Sequence, residues 1–278
     1  MTRIPSPFRT LRPLVLAAGL ASAALLPQAA RADSLDDLVR IEVLDGGQTR
    51  DGAYVGAIRL VLKDGWKTYW RAPGEAGIPP RFDWSGSRNL AGVEITWPTP
   101  KVIEQDGLTT IAYEHQMVLP IEIVPRHPGQ PVVLRGRMEF GICSDVCIPG
   151  TLDFDRQIDG TSARNPAIAA AQADRPYSAR EARVASATCT VRPTRNGLQL
   201  TAEIRMPSAG GREVAVIEPG DGPYWAAGTR TERQGDRLIA SSEVVSENGA
   251  LPMIDRSQVR ITVLGQRHAV DIRGCSAG

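Results

Sequence analysis

Two runs decide the fold: Met117-Val118-Leu119-Pro120-Ile121-Glu122-Ile123-Val124 and, beyond a Pro128-Gly129 turn, Val132-Val133-Leu134-Arg135-Gly136-Arg137-Met138-Glu139-Phe140. They are short, β-branched or alternating, and separated by residues that favour a turn, which is the signature of strands. Working outward, the same pattern recurs at Arg40–Leu44, Ala57–Leu62 and Val93–Trp97, with Asp45-Gly46-Gly47, Asp64-Gly65 and Asp106-Gly107 between the runs. No helical period of useful length competes, so residues 33–160 are expected to form an antiparallel β-sandwich.

The character shifts after Asp159. Asn165-Pro166 followed by Ala167-Ile168-Ala169-Ala170-Ala171-Gln172-Ala173 supplies an N-cap residue, Pro at the first helical position and strong helix formers. Residues 161–185 are therefore expected to be a helical linker. Strand-like runs then return at Gly197–Ile204, Glu213–Ile217, Leu238–Ala240, Val259–Leu264 and Ala269–Ile272. The expectation is an all-β chain whose sandwich is followed by a second, smaller β-domain at 186–278.

Charge excludes some partners. The 278 residues carry 32 Lys+Arg against 31 Asp+Glu, a net of +1, which gives no global field for a polyanion and makes nucleic acid an unsuitable partner. The N-terminus adjusts that balance. Arg3, Arg9 and Arg12 precede an apolar run of 13 residues, Leu14–Leu26, and Ala30-Arg31-Ala32 is a small-x-small cleavage site. Residues 1–32 therefore read as a secretory signal peptide. A spanning helix needs about 20 apolar residues, and no other run approaches that length, so the mature chain is not expected to insert into a membrane. Cleavage removes four Arg and no acid, leaving 28 basic against 31 acidic residues, a net of −3.

Export sets the reading of Cys143, Cys147, Cys189 and Cys275, because thiols outside the cytosol tend to be oxidised. Four cysteines allow three pairings, and sequence alone does not choose among them. Spacing makes a local pair, Cys143 with Cys147, plus a long-range staple, Cys189 with Cys275, the simplest solution. The second pair brackets the strands of the C-terminal part. Closing so long a loop stabilises by about 4 kcal/mol in the chain-entropy account, which gives it a structural role.

The chemistry concentrates in Phe140-Gly141-Ile142-Cys143-Ser144-Asp145-Val146-Cys147-Ile148-Pro149-Gly150, where a strand ends in two cysteines separated by three residues and Pro-Gly is expected to end or bend the next one. So small a ring restrains the unfolded chain little, so the bond is better explained as a redox couple than as a staple. Exchange needs only a thiolate, an accessible sulfur and a second thiol to displace the mixed disulfide. Asp145 inside the ring would raise a neighbouring thiol's pKa if close. Aromatic residues gather nearby: nine of 14 lie between Trp66 and Phe154. The stretch Trp66-Lys67-Thr68-Tyr69-Trp70 runs into the Pro/Gly-rich segment Pro73–Pro80, irregular enough to be a lid, with Tyr69 and Trp70 as its capping side chains.

The combination of the Trp66–Pro80 segment with FGICSDVCIPG resembles the N-terminal periplasmic domain of the DsbD thiol:disulfide interchange proteins, especially the ScsB-type variant linked to copper tolerance. The likeness covers about Asp33 to Asp159. It implies an immunoglobulin-like sandwich, a periplasmic location and Cys143 and Cys147 as the redox pair, with Cys147 exchanging with the partner and Cys143 resolving. It also implies partners: thioredoxin-like or disulfide-isomerase-like proteins and a membrane electron transporter. The sequence lacks the polytopic membrane region and C-terminal thioredoxin-like Cys-x-x-Cys of the full pattern, so a stand-alone carrier served in trans is expected.

Two other classes compete. Cys-x3-Cys followed by Pro also resembles the site of Sco-type copper chaperones, with soft sulfur for Cu(I) and His115, His127 or His268 as the further ligand, although the alternating helices of that thioredoxin fold are missing. A binding module with purely structural disulfides is the third reading. No Gly-x-Ser-x-Gly elbow, HExxH or phosphate loop points to hydrolysis, and no motif calls for a resident cofactor or metal.

Overall fold

The alternation read at Val132–Phe140 continues into a strand of 12 residues, Val132–Cys143, in which Val132, Leu134, Gly136, Met138 and Phe140 are buried and Arg135, Arg137 and Glu139 exposed. Period-two burial is what a strand with one face on a core requires. The computed structural model describes Thr2 and residues 34–105, 107–246 and 252–278, so the leader expected at 1–32 lies, except for Thr2, outside the described residues. Among the described residues, no helix is long and apolar enough to cross a membrane.

The N-terminal half is a sandwich of two antiparallel sheets. In one, Val39–Gln48, Tyr54–Leu62, Gln116–Pro125 and Leu90–Ile95 are neighbours in that order. In the other, the order is Cys147–Ile158, Val132–Cys143, Lys67–Gly74, Leu108–Glu114 and Lys101–Gln105, and Arg81–Asp83 also pairs with Val132–Cys143. Between them lie Trp70, Tyr54, Ile58, Leu119, Ile123 and Phe140, each at most 1% exposed. Pro149-Gly150 does not end the strand that follows Cys147, which runs on to Ile158. Cys147–Ile158 is an edge strand, so the missing N–H of Pro149 costs no ladder bond on its open side.

The C-terminal half repeats the arrangement. One sheet orders Tyr177–Ser178, Ala269–Arg273, Arg260–Leu264 and Val214–Glu218; the other orders Tyr224–Ala226, Arg237–Ser246, Leu198–Arg205, Ser186–Pro193 and Ser276–Ala277, with Arg230–Gln234 also on Arg237–Ser246. Among the described residues, only the two-residue pairings at Tyr177–Ser178 and Ser276–Ala277 are parallel. The chain is thus all-β, a sandwich followed by a smaller β-unit with its own core around Leu200, Ile204, Leu238, Ile261 and Val270.

The connection is helical for one stretch only. Pro166–Ala173 forms a helix whose Asn165 Oδ1 accepts the Ala167 N–H at 3.0 Å, and Ile168 and Ala171 face inward. Tyr177–Ser178 then adds to the second half's sheet instead of extending the helix. The two halves share apolar packing, since Val216, Leu264 and Ala269 of the second join the first core. Arg71 bolts them together: its guanidinium lies 3.7 Å over the Trp70 ring, donates twice to Glu218 at 3.0 and 2.9 Å, and donates to Thr262 Oγ1 at 3.0 Å. A planar fork that satisfies a carboxylate and an aromatic face at once is a task for Arg rather than Lys.

Candidate functional site

Lys67–Gly74 enters its sheet between Val132–Cys143 and Leu108–Glu114. Its pairing with the former is brief, Lys67 opposite Cys143 and Thr68 opposite Ile142. Thr68, fully buried, secures it by donating its hydroxyl to the Gly141 carbonyl at 2.9 Å. Side chains alternate along a strand, so Thr68 and Trp70 turn to one face and Tyr69 to the other. Trp70 accordingly enters the sandwich core, and Tyr69 reaches the end of the Val132–Cys143 strand.

There the hairpin closes on itself. Cys143 and Cys147 are the last partners of a ladder of 12 residue pairs, separated by Ser144-Asp145-Val146, with Ser144 N–H donating to the Val146 carbonyl at 3.3 Å. Their Cα atoms stand 4.1 Å apart and their sulfurs are bonded. The Tyr69 hydroxyl lies 2.6 Å from Cys143 Sγ and 3.1 Å from Cys147 Sγ. Tyr69 is 2% exposed and Cys143 1%, with Ala112 and Ile103 closing the small apolar chamber around them. Cys147 is exposed, and beside it at the hairpin tip Val146 is 68% exposed.

The Pro/Gly-rich segment covers Tyr69. A methyl group on Gly77 would collide with the Tyr69 ring, and one on Gly141 would stand 2.7 Å from Ile78 Cβ. Gly77 has φ 142°, a conformation that L side chains rarely adopt, so glycine is demanded there on two grounds. Glu75 pins the base of the loop, donating its N–H to the Thr109 carbonyl at 2.9 Å and accepting the Thr109 N–H at 2.7 Å. Of the two proposed capping side chains, Tyr69 is brought to the sulfurs and Trp70 is not.

The other candidates lie elsewhere. Cys189 and Cys275, 86 positions apart, are bonded with Cα atoms 5.7 Å apart, and Cys189 is fully buried. His115 sits exposed in a turn with Nδ1 3.8 Å from Asp64, and His268 stacks on Tyr177. Among the described residues, no group of three or more His, Cys, Asp or Glu side chains is gathered to hold a metal ion.

An incoming thiolate can reach Cys147, and cleavage of the bond would then expel Cys143 as the leaving thiolate beneath Tyr69. Burial pushes the Tyr69 phenol above its ordinary pKa, so at neutral pH it keeps its proton and can donate it to that thiolate. A hydrogen bond to the charged form favours it, which improves Cys143 as a leaving group. Tyr69→Phe is therefore expected to raise the pKa of the reduced Cys143 thiol by about one unit. The pH dependence of thiolate absorbance near 240 nm, in a Cys147→Ser background, measures this; an unchanged midpoint would deny Tyr69 the role. Thr68, Ile78, Ala112 and Ile103 were not singled out from the sequence as site residues. Reading Lys67–Trp70 as a strand would have separated Tyr69 from Trp70 and exposed the part played by Thr68.

Residues 43–158 match the family described as "Thiol:disulfide interchange protein DsbD, N-terminal". Among solved structures, the N-terminal periplasmic domain of ScsB from Proteus mirabilis is similar at 20% identity and a TM-score of 0.67, over 89% of this chain and 97% of that one. That likeness spans both halves and is one of fold. The reduced DsbD N-terminal domain of Neisseria meningitidis is also 20% identical, over 46% of this chain and 90% of that one, at a TM-score of 0.25. No curated protein matches the chain.

Proposed function

Because residues 43–158 match the family of DsbD N-terminal domains, we propose that this protein is a thiol:disulfide interchange carrier of the periplasm, with Cys143 and Cys147 as its redox pair. The observation that carries the proposal is the asymmetry of the pair: one sulfur exposed, the other buried against the Tyr69 hydroxyl. The Cys189–Cys275 bridge is also buried on one side, but its second cysteine is half-buried, whereas Cys147 stands exposed, as exchange in two ordered steps requires.

In the loading direction, a thiolate of a reduced partner attacks Cys147 Sγ, the Cys143–Cys147 bond breaks, and Cys143 leaves as a thiolate held by Tyr69. The partner's second thiolate then attacks its own sulfur in the mixed disulfide and releases Cys147. Two electrons have passed to this protein, the partner is oxidised to a disulfide, and the two protons of its thiols are taken up by Cys143 and Cys147. In the unloading direction Cys147 attacks an oxidised thioredoxin-like or disulfide-isomerase-like protein and Cys143 resolves the adduct. The donor fits a membrane electron transporter, and Val146 offers an apolar contact to either partner at the hairpin tip.

Equilibration with glutathione buffers of graded ratio, followed by thiol trapping, tests the reading. A Cys143–Cys147 potential between roughly −270 and −120 mV, the span of thioredoxin-like oxidoreductases, is expected. A pair that stays oxidised below about −300 mV, where structural disulfides lie, would overturn it.

A further inference from the structure

Beside the loop that covers Tyr69, a cleft of about 800 Å³ opens between the two halves of the molecule. Its floor includes Val214–Glu218, which pairs along one edge only, with Arg260–Leu264. On its other edge Ala215 donates its N–H to Thr231 Oγ1 at 2.9 Å, which fixes the direction that edge faces. With a period of two, the Ile217 N–H and C=O point the same way, and among the described residues no strand pairs with them. An unpaired strand edge is a template for another chain, and here it lies inside a cleft instead of being blunted at the surface.

The charge around that edge is unbalanced. Of the lining carboxylates, Glu213 is ion-paired with Arg233 and Glu218 with Arg71, while Glu75 accepts the neutral Thr109 N–H and keeps its charge, so Arg81 and Arg230 leave a positive excess of one. Arg81 and Arg230, both exposed on the cleft, have no ion-pair partner among the described residues. Trp225, 50% exposed, adds an uncovered aromatic face to the same wall.

We propose that this cleft binds an extended acidic segment of a partner protein, added as a strand to the free edge of Val214–Glu218. Its carboxylates meet Arg81 and Arg230, and an apolar side chain lies on Trp225. The groups on offer are the Ala215 C=O and the Ile217 N–H and C=O, which an extended segment of about three residues engages. The inference stands on the second half's edge strand and does not depend on the redox reading.

The test uses the full oxidised chain and a capped Glu-Val-Glu-Val-Glu-Val peptide, followed by tryptophan fluorescence and calorimetry. Saturable one-to-one binding that weakens with added salt is expected, together with loss of the fluorescence change in Trp225→Phe. The double substitution of Arg81→Gln and Arg230→Gln, on exposed side chains that leave the fold intact, should weaken binding by about fivefold. The same peptide N-methylated at alternate residues should not bind, because it cannot complete the ladder. No saturable binding, equal binding of a Lys-Val repeat, or undiminished binding of the N-methylated peptide would each overturn the proposal.

Discussion

Mixed with an oxidised thioredoxin-like protein, the Cys143→Ser variant is expected to accumulate a covalent adduct through Cys147, whereas Cys147→Ser accumulates none. The difference follows from access. Cys147 is exposed at the end of its strand, while Cys143, at 1% exposure, lies under Tyr69 and the covering loop and cannot meet a second protein's disulfide. With Cys143 gone, nothing within the hairpin completes the transfer; only the partner's own displaced thiolate can release Cys147, and acid quenching with alkylation of that thiolate preserves the adduct. Electron transfer by either variant should fall to the rate of uncatalysed exchange. In the reduced native protein, a bulky maleimide should mark Cys147 at least about tenfold faster than Cys143. Non-reducing electrophoresis and peptide mapping read each outcome. Adduct formation through Cys143, or equal labelling of the two thiols, would reverse the assignment of roles.

Replacing both Cys189 and Cys275 by Ser is expected to cost about 4.5 kcal/mol of stability, the chain-entropy value for a loop of 86 residues. For a protein of this size that corresponds to a fall in the melting temperature of about 10 °C. The bridge joins Ser186–Pro193 to the segment just after Ala269–Arg273, and Cys275 N–H donates to the Arg256 carbonyl at 3.0 Å while Arg256 Nε donates to the Cys189 carbonyl at 3.1 Å. These bonds hold the crossing in place but do not shorten the unfolded chain, which is what the covalent bond does. Thermal unfolding followed by circular dichroism checks the size of the effect, and a loss under about 1 kcal/mol would show the bridge to be dispensable for stability.

Much of this architecture is legible in the sequence because burial on one face of a strand writes itself as alternation. Val132–Phe140 is the clearest instance, and its alternation predicts the buried set that the structure shows. Lys67–Gly74 is the counterexample. Its residues Thr68, Tyr69 and Trp70 are all buried, because the strand is covered on both faces, and a strand without a wet side shows no alternation. For the same reason Tyr69 and Trp70 look alike in sequence although they point to opposite sides. The Cys143 and Cys147 pair is visible from its spacing, but the chamber around it is not. Ala112 and Ile103 come from strands more than 30 residues earlier, and nothing local in them signals what they face. Arg71 is similar: its partners Glu218 and Thr262 lie 147 and 191 positions away, so the bolt between the halves is a product of the tertiary fold alone.

The burial of Cys189 bears on how the molecule tolerates its own environment. A carrier that is repeatedly reduced must keep its other disulfide from being reduced with it, and here the two bonds answer to different barriers. The Cys143–Cys147 bond can open while its hairpin remains registered over 12 residue pairs, so reduction there leaves the sheet standing. The Cys189–Cys275 bond differs in its second cysteine: Cys275 is half-buried where Cys147 is exposed, and its N–H and the Cys189 carbonyl are both tied to Arg256, so opening of the C-terminal half eases the approach of a reductant. Accessibility therefore sorts the two bonds: the exposed Cys147 is the easier address for electrons, and the bridge within the C-terminal half is the harder one.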